Sequence, residues 1–224
     1  CTISEAVTVS KDVTIDLNGM KLLASSALTV SGGSVTVTDT SSSGAGLIKG
    51  DKYSAVTLTG GSLTITSGVT LQGYDGNNPA LLVTGGSLTM TGGEVGTLKL
   101  TGAANVNISG GKIDSLDASV SATDAYVTLS GGTFGQLKVF STNDVYLTDW
   151  LATGCAFQRM DGTSGKYKYT DKIDPGISNV EVVECTHKDL SGFSYTNGIC
   201  DFCGHECDHK AGINHTDFTC SECG

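Results

Sequence analysis

Residues 27–37 read Ala-Leu-Thr-Val-Ser-Gly-Gly-Ser-Val-Thr-Val, and two later stretches repeat this phrase with few changes. Residues 55–65 read Ala-Val-Thr-Leu-Thr-Gly-Gly-Ser-Leu-Thr-Ile, and residues 80–90 read Ala-Leu-Leu-Val-Thr-Gly-Gly-Ser-Leu-Thr-Met. Self-similarity at roughly 20 to 50 residues is typical of repeat proteins, in which each repeat is one unit stacked on its neighbours. The sequence therefore predicts a stacked, elongated body.

A second set of phrases with the same Gly-Gly centre follows at 88–98, 106–116 and 127–137. Within each phrase apolar residues alternate with Thr, Ser or Asn, as at Val56, Leu58, Leu63 and Ile65. Alternation with β-branched and Thr-rich composition predicts short, half-buried strands. The Gly-Gly pair supplies a turn without a Cβ clash.

Two all-β arrangements fit these strands. A meander of hairpins is one, and a single-stranded right-handed parallel β-helix is the other. We favour the β-helix, because a unit of about 20 to 25 residues holds three short strands and their corners, which is one coil of a solenoid. Six or seven coils are expected, with two inward ladders formed by Leu28, Val56 and Leu81 and by Val30, Leu58 and Val83.

The repeat pattern stops near residue 147, and the chemistry of the chain changes after it. We predict a β-helix over 1–166 with a C-terminal cap around 147–157, where Trp150, Leu151 and Phe157 concentrate. Isolated aromatic residues at the end of a repeat array usually close its core. Residues 167–184 are predicted to be a linker, and residues 185–224 two small metal-binding units.

Composition excludes some functions. The net charge is −10 and Arg159 is the one arginine, so we expect no nucleic-acid partner, because phosphate binding needs a basic surface. No apolar run approaches the roughly 20 residues that span a bilayer, so we expect no membrane insertion by this stretch. The chain opens in mid-pattern at Cys1, which we interpret as the mark of a longer parent with other domains.

The last forty residues contain the same short phrase twice. Cys185 and His187 precede Cys200 and Cys203, and the second copy has Cys207, His209, Cys220 and Cys223. Cys-x-x-Cys is a knuckle that turns two thiolates toward one ion, and zinc prefers four such ligands in a tetrahedron. The pattern predicts two zinc ions, each held by three cysteines and one histidine. Four protein ligands leave no open coordination position, so these sites are expected to be structural.

Disulfides are the alternative for these cysteines in an exported protein. The paired histidines favour zinc, because a disulfide has no use for them. Cys1 and Cys155 stand apart at opposite ends of the predicted rod, which makes a bond between them improbable, and a buried thiol is expected for each.

Two loops precede equivalent strands and bring polar and aromatic side chains to one corner. Tyr53 and Tyr74 are expected on neighbouring coils, flanked by Asp51, Asp75, Asn77 and Asn78. Tyrosine rings among amide and carboxylate groups suit sugar recognition. Solvated variable loops are the alternative. Candidate carboxylates for catalysis exist, at Asp114, Asp117 and Asp124, but they fit corner turns equally well.

Four features together resemble the β-helix regions of large surface proteins from gut-type and streptococcal Gram-positive bacteria. They are Val13-Thr-Ile-Asp-Leu-Asn-Gly-Met-Lys-Leu22, the Thr-Val-Ser-Gly-Gly phrases, the closing stretch 151–162 and the Cys-x-His…Cys-x-x-Cys-Gly tail. Similar sequences usually have an aromatic residue where this chain has Cys155.

The resemblance implies a secreted or cell-surface, adhesive or glycan-associated module. We expect it to be non-catalytic, with a glycan or a host surface protein as partner. A β-helix polysaccharide lyase or glycoside hydrolase, and a purely structural stalk, are the alternatives.

Overall fold

The structure, a computed structural model, describes most of the chain up to residue 204 and two short stretches beyond it. The described residues are 2–3, 5, 7–24, 28–74, 78–118, 125–139, 145–160, 166–168, 170–173, 176–185, 188–189, 192–193, 195–196, 199–204, 213–214 and 219–220. They form strands and one short 3-10 turn at Leu147–Asp149.

Strands follow one another at short intervals. The first twelve are β1 (Thr2–Ile3), β2 (Val7–Val9), β3 (Val13–Asp16), β4 (Lys21–Ala24), β5 (Leu28–Val30), β6 (Ser34–Thr38), β7 (Gly46–Gly50), β8 (Val56–Leu58), β9 (Ser62–Ile65), β10 (Val69–Gln72), β11 (Leu81–Val83) and β12 (Gly86–Met90). Five more strands follow, β13 (Glu94–Leu100), β14 (Ala104–Ala118), β15 (Ala125–Val139), β16 (Cys155–Arg159) and β17 (Ile177–Glu184). Six two-residue strands complete the order, β18 (Lys188–Asp189), β19 (Gly192–Phe193), β20 (Tyr195–Thr196), β21 (Ile199–Cys200), β22 (Ile213–Asn214) and β23 (Thr219–Cys220).

Each strand from β1 to β15 pairs in parallel with the equivalent strand of a neighbouring turn, so the body is a parallel β-solenoid of about 6 turns. The parallel pairing confirms the predicted β-helix and excludes the hairpin meander. The body has three faces. Face 1 contains β2, β5, β8 and β11, face 2 contains β3, β6, β9 and β12, and face 3 contains β1, β4, β7 and β10.

Strands β13, β14 and β15 run round the corners of the solenoid. Within β13, Val95 pairs with Leu71 on face 3, whereas Leu98 pairs with Leu81 on face 1. The corner between these faces is therefore compact in the last turns. It carries separate loops in the earlier ones, at 51–55 and around 73–80.

Inward side chains stack in register from turn to turn. Val56 pairs with Leu28 on one side and Leu81 on the other, and Leu58 pairs likewise with Val30 and Val83. All six side chains are at most 2% exposed, so both predicted ladders are confirmed. Burying such side chains contributes about 1.5 to 3 kcal/mol each, and the ladder repeats that contribution at every turn.

Glycine is required where the chain turns from face 1 to face 2. Gly61 has a φ of 71°, and a Cβ on it would lie 2.5 Å from the backbone carbonyl carbon of Gly32. Stacked turns approach each other through bare backbone at this corner, which explains the constant second glycine of the repeat phrase.

The last turn is covered by residues that leave the repeat. Trp150 is 5% exposed and Phe157 is fully buried, both within the core cluster. β17 then pairs antiparallel with β15 and with β16. The stretch predicted as a linker, 167–184, thus includes a strand that extends the solenoid sheet.

Candidate functional site

Cys185 leaves the end of β17 and is fixed to the cap of the solenoid. Its backbone N–H donates to the carbonyl oxygen of Gly154 at 2.8 Å. The residue is 6% exposed. Because β17 is itself hydrogen-bonded to β15 and β16, the position of this thiol is set by the body of the protein.

The other two thiols come from one tight turn. β21 ends at Cys200, residues 201–203 turn, and the N–H of Gly204 donates to the carbonyl oxygen of Cys200 at 2.9 Å. Gly204 has a φ of 71°, a conformation that glycine adopts without strain. The glycine after the second cysteine therefore closes the knuckle that the sequence predicted.

The three sulfur atoms converge. Those of Cys185, Cys200 and Cys203 lie within 4.8 Å of one another, and the first two are 3.7 Å apart. A disulfide needs about 2.05 Å between its sulfurs, whereas two thiolates on a tetrahedral ion with bonds of about 2.3 Å lie about 3.8 Å apart. None of the three cysteines is in a disulfide, and the spacing of their sulfur atoms fits a shared metal ion.

The described residues provide little apolar packing around these thiols. Cys185 and Cys200 form a small buried cluster with Ala156 and Phe202, against which Cys203 packs. Lys166 lies over the ring of Phe202, with its Nζ 5.7 Å from the ring centre. So few buried side chains provide little hydrophobic stabilisation, and a metal ion would supply what the cluster lacks.

The structure does not describe the fourth predicted ligand of this site or most of the second predicted site. His187, Cys207, His209 and Cys223 lie outside the described residues. Cys220 is described only as backbone of β23, which pairs with β22. The structure thus assembles three of the eight predicted ligands into one cluster that a metal ion could occupy.

Cys155 is not part of that cluster. It lies half-buried against the solenoid core, and its Sγ is 3.8 Å from the carbonyl oxygen of Ser130. Partial burial, with a smaller contribution from Glu184, raises the pKa of the Cys155 thiol. A thiol with a raised pKa stays protonated at neutral pH, so Cys155 is a poor ligand and a poor nucleophile. Cys1 lies outside the described residues.

The structure also describes part of the corner that the sequence predicted to bind a ligand. The loop with Tyr53 joins β7 to β8, and the loop with Tyr74 joins β10 to β11. Because β7 pairs with β10 and β8 with β11, the two loops lie at the same corner on neighbouring turns. The tyrosines are 48% and 55% exposed.

The polar residues around these tyrosines are described incompletely. Asp51 is exposed beside Tyr53, and Asn78 is half-buried at the far end of the second loop. Asp75 and Asn77 lie outside the described residues. Lys52 extends over the ring of Tyr53, with Nζ 5.6 Å from the ring centre, a contact that the sequence did not indicate.

The candidate carboxylates are dispersed. Asp114 binds Lys112 at 3.1 Å on face 3, Asp117 lies on face 1 opposite Lys99 and Lys138, and Asp124 is outside the described residues. The hydrogen bond that the Lys112 ammonium donates to the Asp114 carboxylate is the main cause of the raised pKa of Lys112. Asp114 and Asp117 therefore lie on different faces, an arrangement that does not make an acid–base pair.

Fold and site together define a parallel β-solenoid protein with a three-cysteine cluster at the end of its body. Comparison of the chain with protein-family models, with curated proteins and with solved structures finds no match. Within the described part of the chain, no helix is long and apolar enough to cross a membrane.

Proposed function

We propose that this chain is a non-catalytic, ligand-binding module of a secreted or cell-surface bacterial protein. Its solenoid, which we take to be right-handed, like nearly all parallel crossovers, carries the binding surface. Its C-terminal residues are held by structural zinc. The observation that carries the binding role is the pair of exposed tyrosines in equivalent loops of neighbouring turns.

The corner that carries Tyr53 and Tyr74, which we call the tyrosine corner, suits a glycan. Each ring offers an apolar face at its base and a hydroxyl at its tip, the combination that packs on the faces of sugar rings and hydrogen-bonds to their hydroxyls. Asp51, Asp75, Asn77 and Asn78 would add acceptors and donors beside the rings. A host surface protein is the second class of partner for the same corner.

Binding at the corner is tested on a glycan and host-protein array. We expect the double variant Tyr53→Ala, Tyr74→Ala to weaken binding about tenfold or more, since exposed aromatic anchors carry much of the energy of such sites. Tyr126→Ala is the matched control, because Tyr126 is 72% exposed on face 2, away from the corner. Equal binding by both variants would remove the corner from the proposal, and no binding to any probe would leave a structural stalk.

Zinc is the metal that the donor set favours. Thiolates are soft ligands, and a set of three cysteines with one histidine is a common structural zinc site. Cys185, Cys200 and Cys203 would bind with His187 as the fourth ligand, and Cys207, His209, Cys220 and Cys223 would hold a second ion. The ion would supply no catalysis, because protein ligands fill its coordination sphere.

Metal content is measured by mass spectrometry on protein purified without added zinc, with free thiols counted after chelation. We expect about two zinc ions per chain and every cysteine free once the metal is removed. The variant Cys200→Ser should lose one ion, and Cys155→Ser, the matched control, should lose none. Few free thiols and no metal would establish disulfides instead.

A further inference from the structure

Face 3 presents one continuous row of outward side chains along the solenoid axis. Parallel pairing puts six residues in register, one from each turn: Lys21, Leu47, Thr70, Glu94, Lys112 and Thr133. The inward neighbours of the row, such as Leu71 and Val95, are at most 1% exposed. Five spacings of about 4.8 Å make the row about 24 Å long.

Two shallow depressions lie along this row, one on each side of Thr70 and Glu94. One, of about 500 Å³, is bordered by the glycines of the corner between faces 2 and 3 and runs toward Thr133. The other, of about 330 Å³, runs toward Lys21. Thr70 and Glu94 line both, so the two depressions are adjacent, and we call them together the axial groove.

The axial groove has the tyrosine corner along its edge. Gln72, at the end of β10, lines the groove two residues before Tyr74. β7 likewise crosses the groove before the loop with Tyr53. Both tyrosines therefore follow strands that line the groove, on the side where the chain turns from face 3 to face 1.

Charges in the groove are balanced. Lys112 pairs with Asp114 at 3.1 Å and lies in register beside Glu94. The whole chain has a net charge of −10, which repels a polyanion at long range. The groove thus offers hydroxyl, amide and paired charged groups beside the apolar side chain of Leu47, without an excess of positive charge, a surface that suits an uncharged, hydroxyl-rich ligand.

The floor of the groove also disfavours an extended peptide. Such a peptide usually binds by adding a strand to a free sheet edge. Here β7 is paired with β4 and β10, and β10 is paired with β7 and β13, so the backbone groups in the floor are already used.

We infer that the axial groove binds an uncharged glycan chain lying along the solenoid axis, with Tyr53 and Tyr74 at its edge. This inference rests on the proposed function and names the ligand class and its direction. Since the groove spans several turns, affinity should rise with chain length until the glycan fills it.

The experiment measures binding of cello-, manno- and chito-oligosaccharides, from disaccharide to hexasaccharide, with a galacturonate hexasaccharide and an extended peptide library as competing classes. Thr70→Trp fills the groove at the junction of its two halves. Thr89→Trp is the matched control, since Thr89 is a half-buried threonine on face 2 that lines neither depression. Glu94→Trp is a second blocking variant in case Thr70→Trp does not fold.

An uncharged hexasaccharide should bind more tightly than its disaccharide, with at least ~10-fold loss in the blocking variants and wild-type affinity in Thr89→Trp. The affinity could instead be independent of chain length and of the blocking variants, and be lowered only in the Tyr53→Ala, Tyr74→Ala protein. That result would overturn the groove inference but leave the proposed function standing. Preference for the acidic hexasaccharide or for a peptide overturns the ligand class. If none of the probes binds, both proposals are overturned.

Discussion

The solenoid body and the cysteine cluster at its end are stabilised in opposite ways. In the body, fully buried residues such as Leu63 and Phe134 stack on equivalent residues of the next turn, and the pattern repeats. Among the described residues of the cluster only four are buried, and two of them are the cysteines themselves. Repetition is sufficient to stabilise the body, whereas the end depends on what its thiols bind.

The largest expected effect breaks the stacking of the body. Gly61→Ala places a Cβ 2.5 Å from the backbone of Gly32, and we expect a loss of about 4 kcal/mol or more of unfolding free energy, or no folding. Urea unfolding followed by circular dichroism measures it.

Gly154→Ala is the control for this substitution. Gly154 also has a positive φ, of 79°, but no atom lies within 4 Å of its added Cβ. It should cost about 1 kcal/mol, the penalty of the left-handed conformation alone. Equal losses at the two glycines would show that close stacking is not what the repeat phrase requires.

The next effect separates the two regions. Leu63→Ala should cost the body about 3 kcal/mol, because it removes a fully buried side chain from a stacked ladder. Cys200→Ala should lower the unfolding free energy of the body by less than about 1 kcal/mol, since distant sites act independently. It should nevertheless abolish metal loading at the first site and speed proteolysis after residue 185. A large effect of Cys200→Ala on the body would show that the two regions unfold together.

Low pH should have a smaller effect on stability, which arises at the corner of the body that contains Asp39. Asp39 accepts hydrogen bonds from the backbone N–H groups of Gly19, Ser41 and Gly46, at 2.8, 3.0 and 2.6 Å. Partial desolvation opposes the charge, but these bonds outweigh it and lower the Asp39 pKa below its ordinary 3.8.

The stabilisation from Asp39 is therefore present above pH 3.8 and is lost as the pH falls through the lower pKa of the folded state. We expect Asp39→Asn to unfold at lower urea than the wild type at pH 7, with the gap narrowing toward pH 3. A gap that stays constant over this range would contradict the role of the carboxylate.

The smallest effect is on the surface. Lys112 and Asp114 are 56% and 65% exposed, and pairs this exposed contribute little because solvent screens them. Lys112→Met should leave the urea midpoint unchanged and alter only its dependence on salt. A clear loss of stability would mean that the body depends on its surface as well as on its ladders.

Much of the body was predictable because aligning the repeats gives the register between neighbouring turns. Once Ala55 and Ala80 are aligned, the alternation of apolar residues fixes which side chains point inward, and the Leu28–Val56–Leu81 ladder follows. The knuckle was predictable for a similar reason, since Cys-x-x-Cys-Gly is a local turn whose geometry hardly depends on distant residues.

β17 was not predictable in this way. Its sequence, Ile-Ser-Asn-Val-Glu-Val-Val-Glu, has no copy elsewhere in the chain, and its antiparallel partners are β15 and β16. A strand that pairs outside the repeat has no neighbour in sequence to reveal it. The axial groove escaped prediction too, because its six residues come from six turns and share no motif.

The sequence by itself determined the stacked strands, the inward ladders, the glycine corners and the three-residue spacing of Cys200 and Cys203, because each depends on periodicity or on a few adjacent residues. Only the tertiary structure decided that the predicted meeting of Cys185 with that pair lies at the end of the solenoid, and that the outward side chains of face 3, most of them charged or hydroxyl-bearing, form one row. Both depend on pairing between strands far apart in the chain, which a linear pattern does not encode.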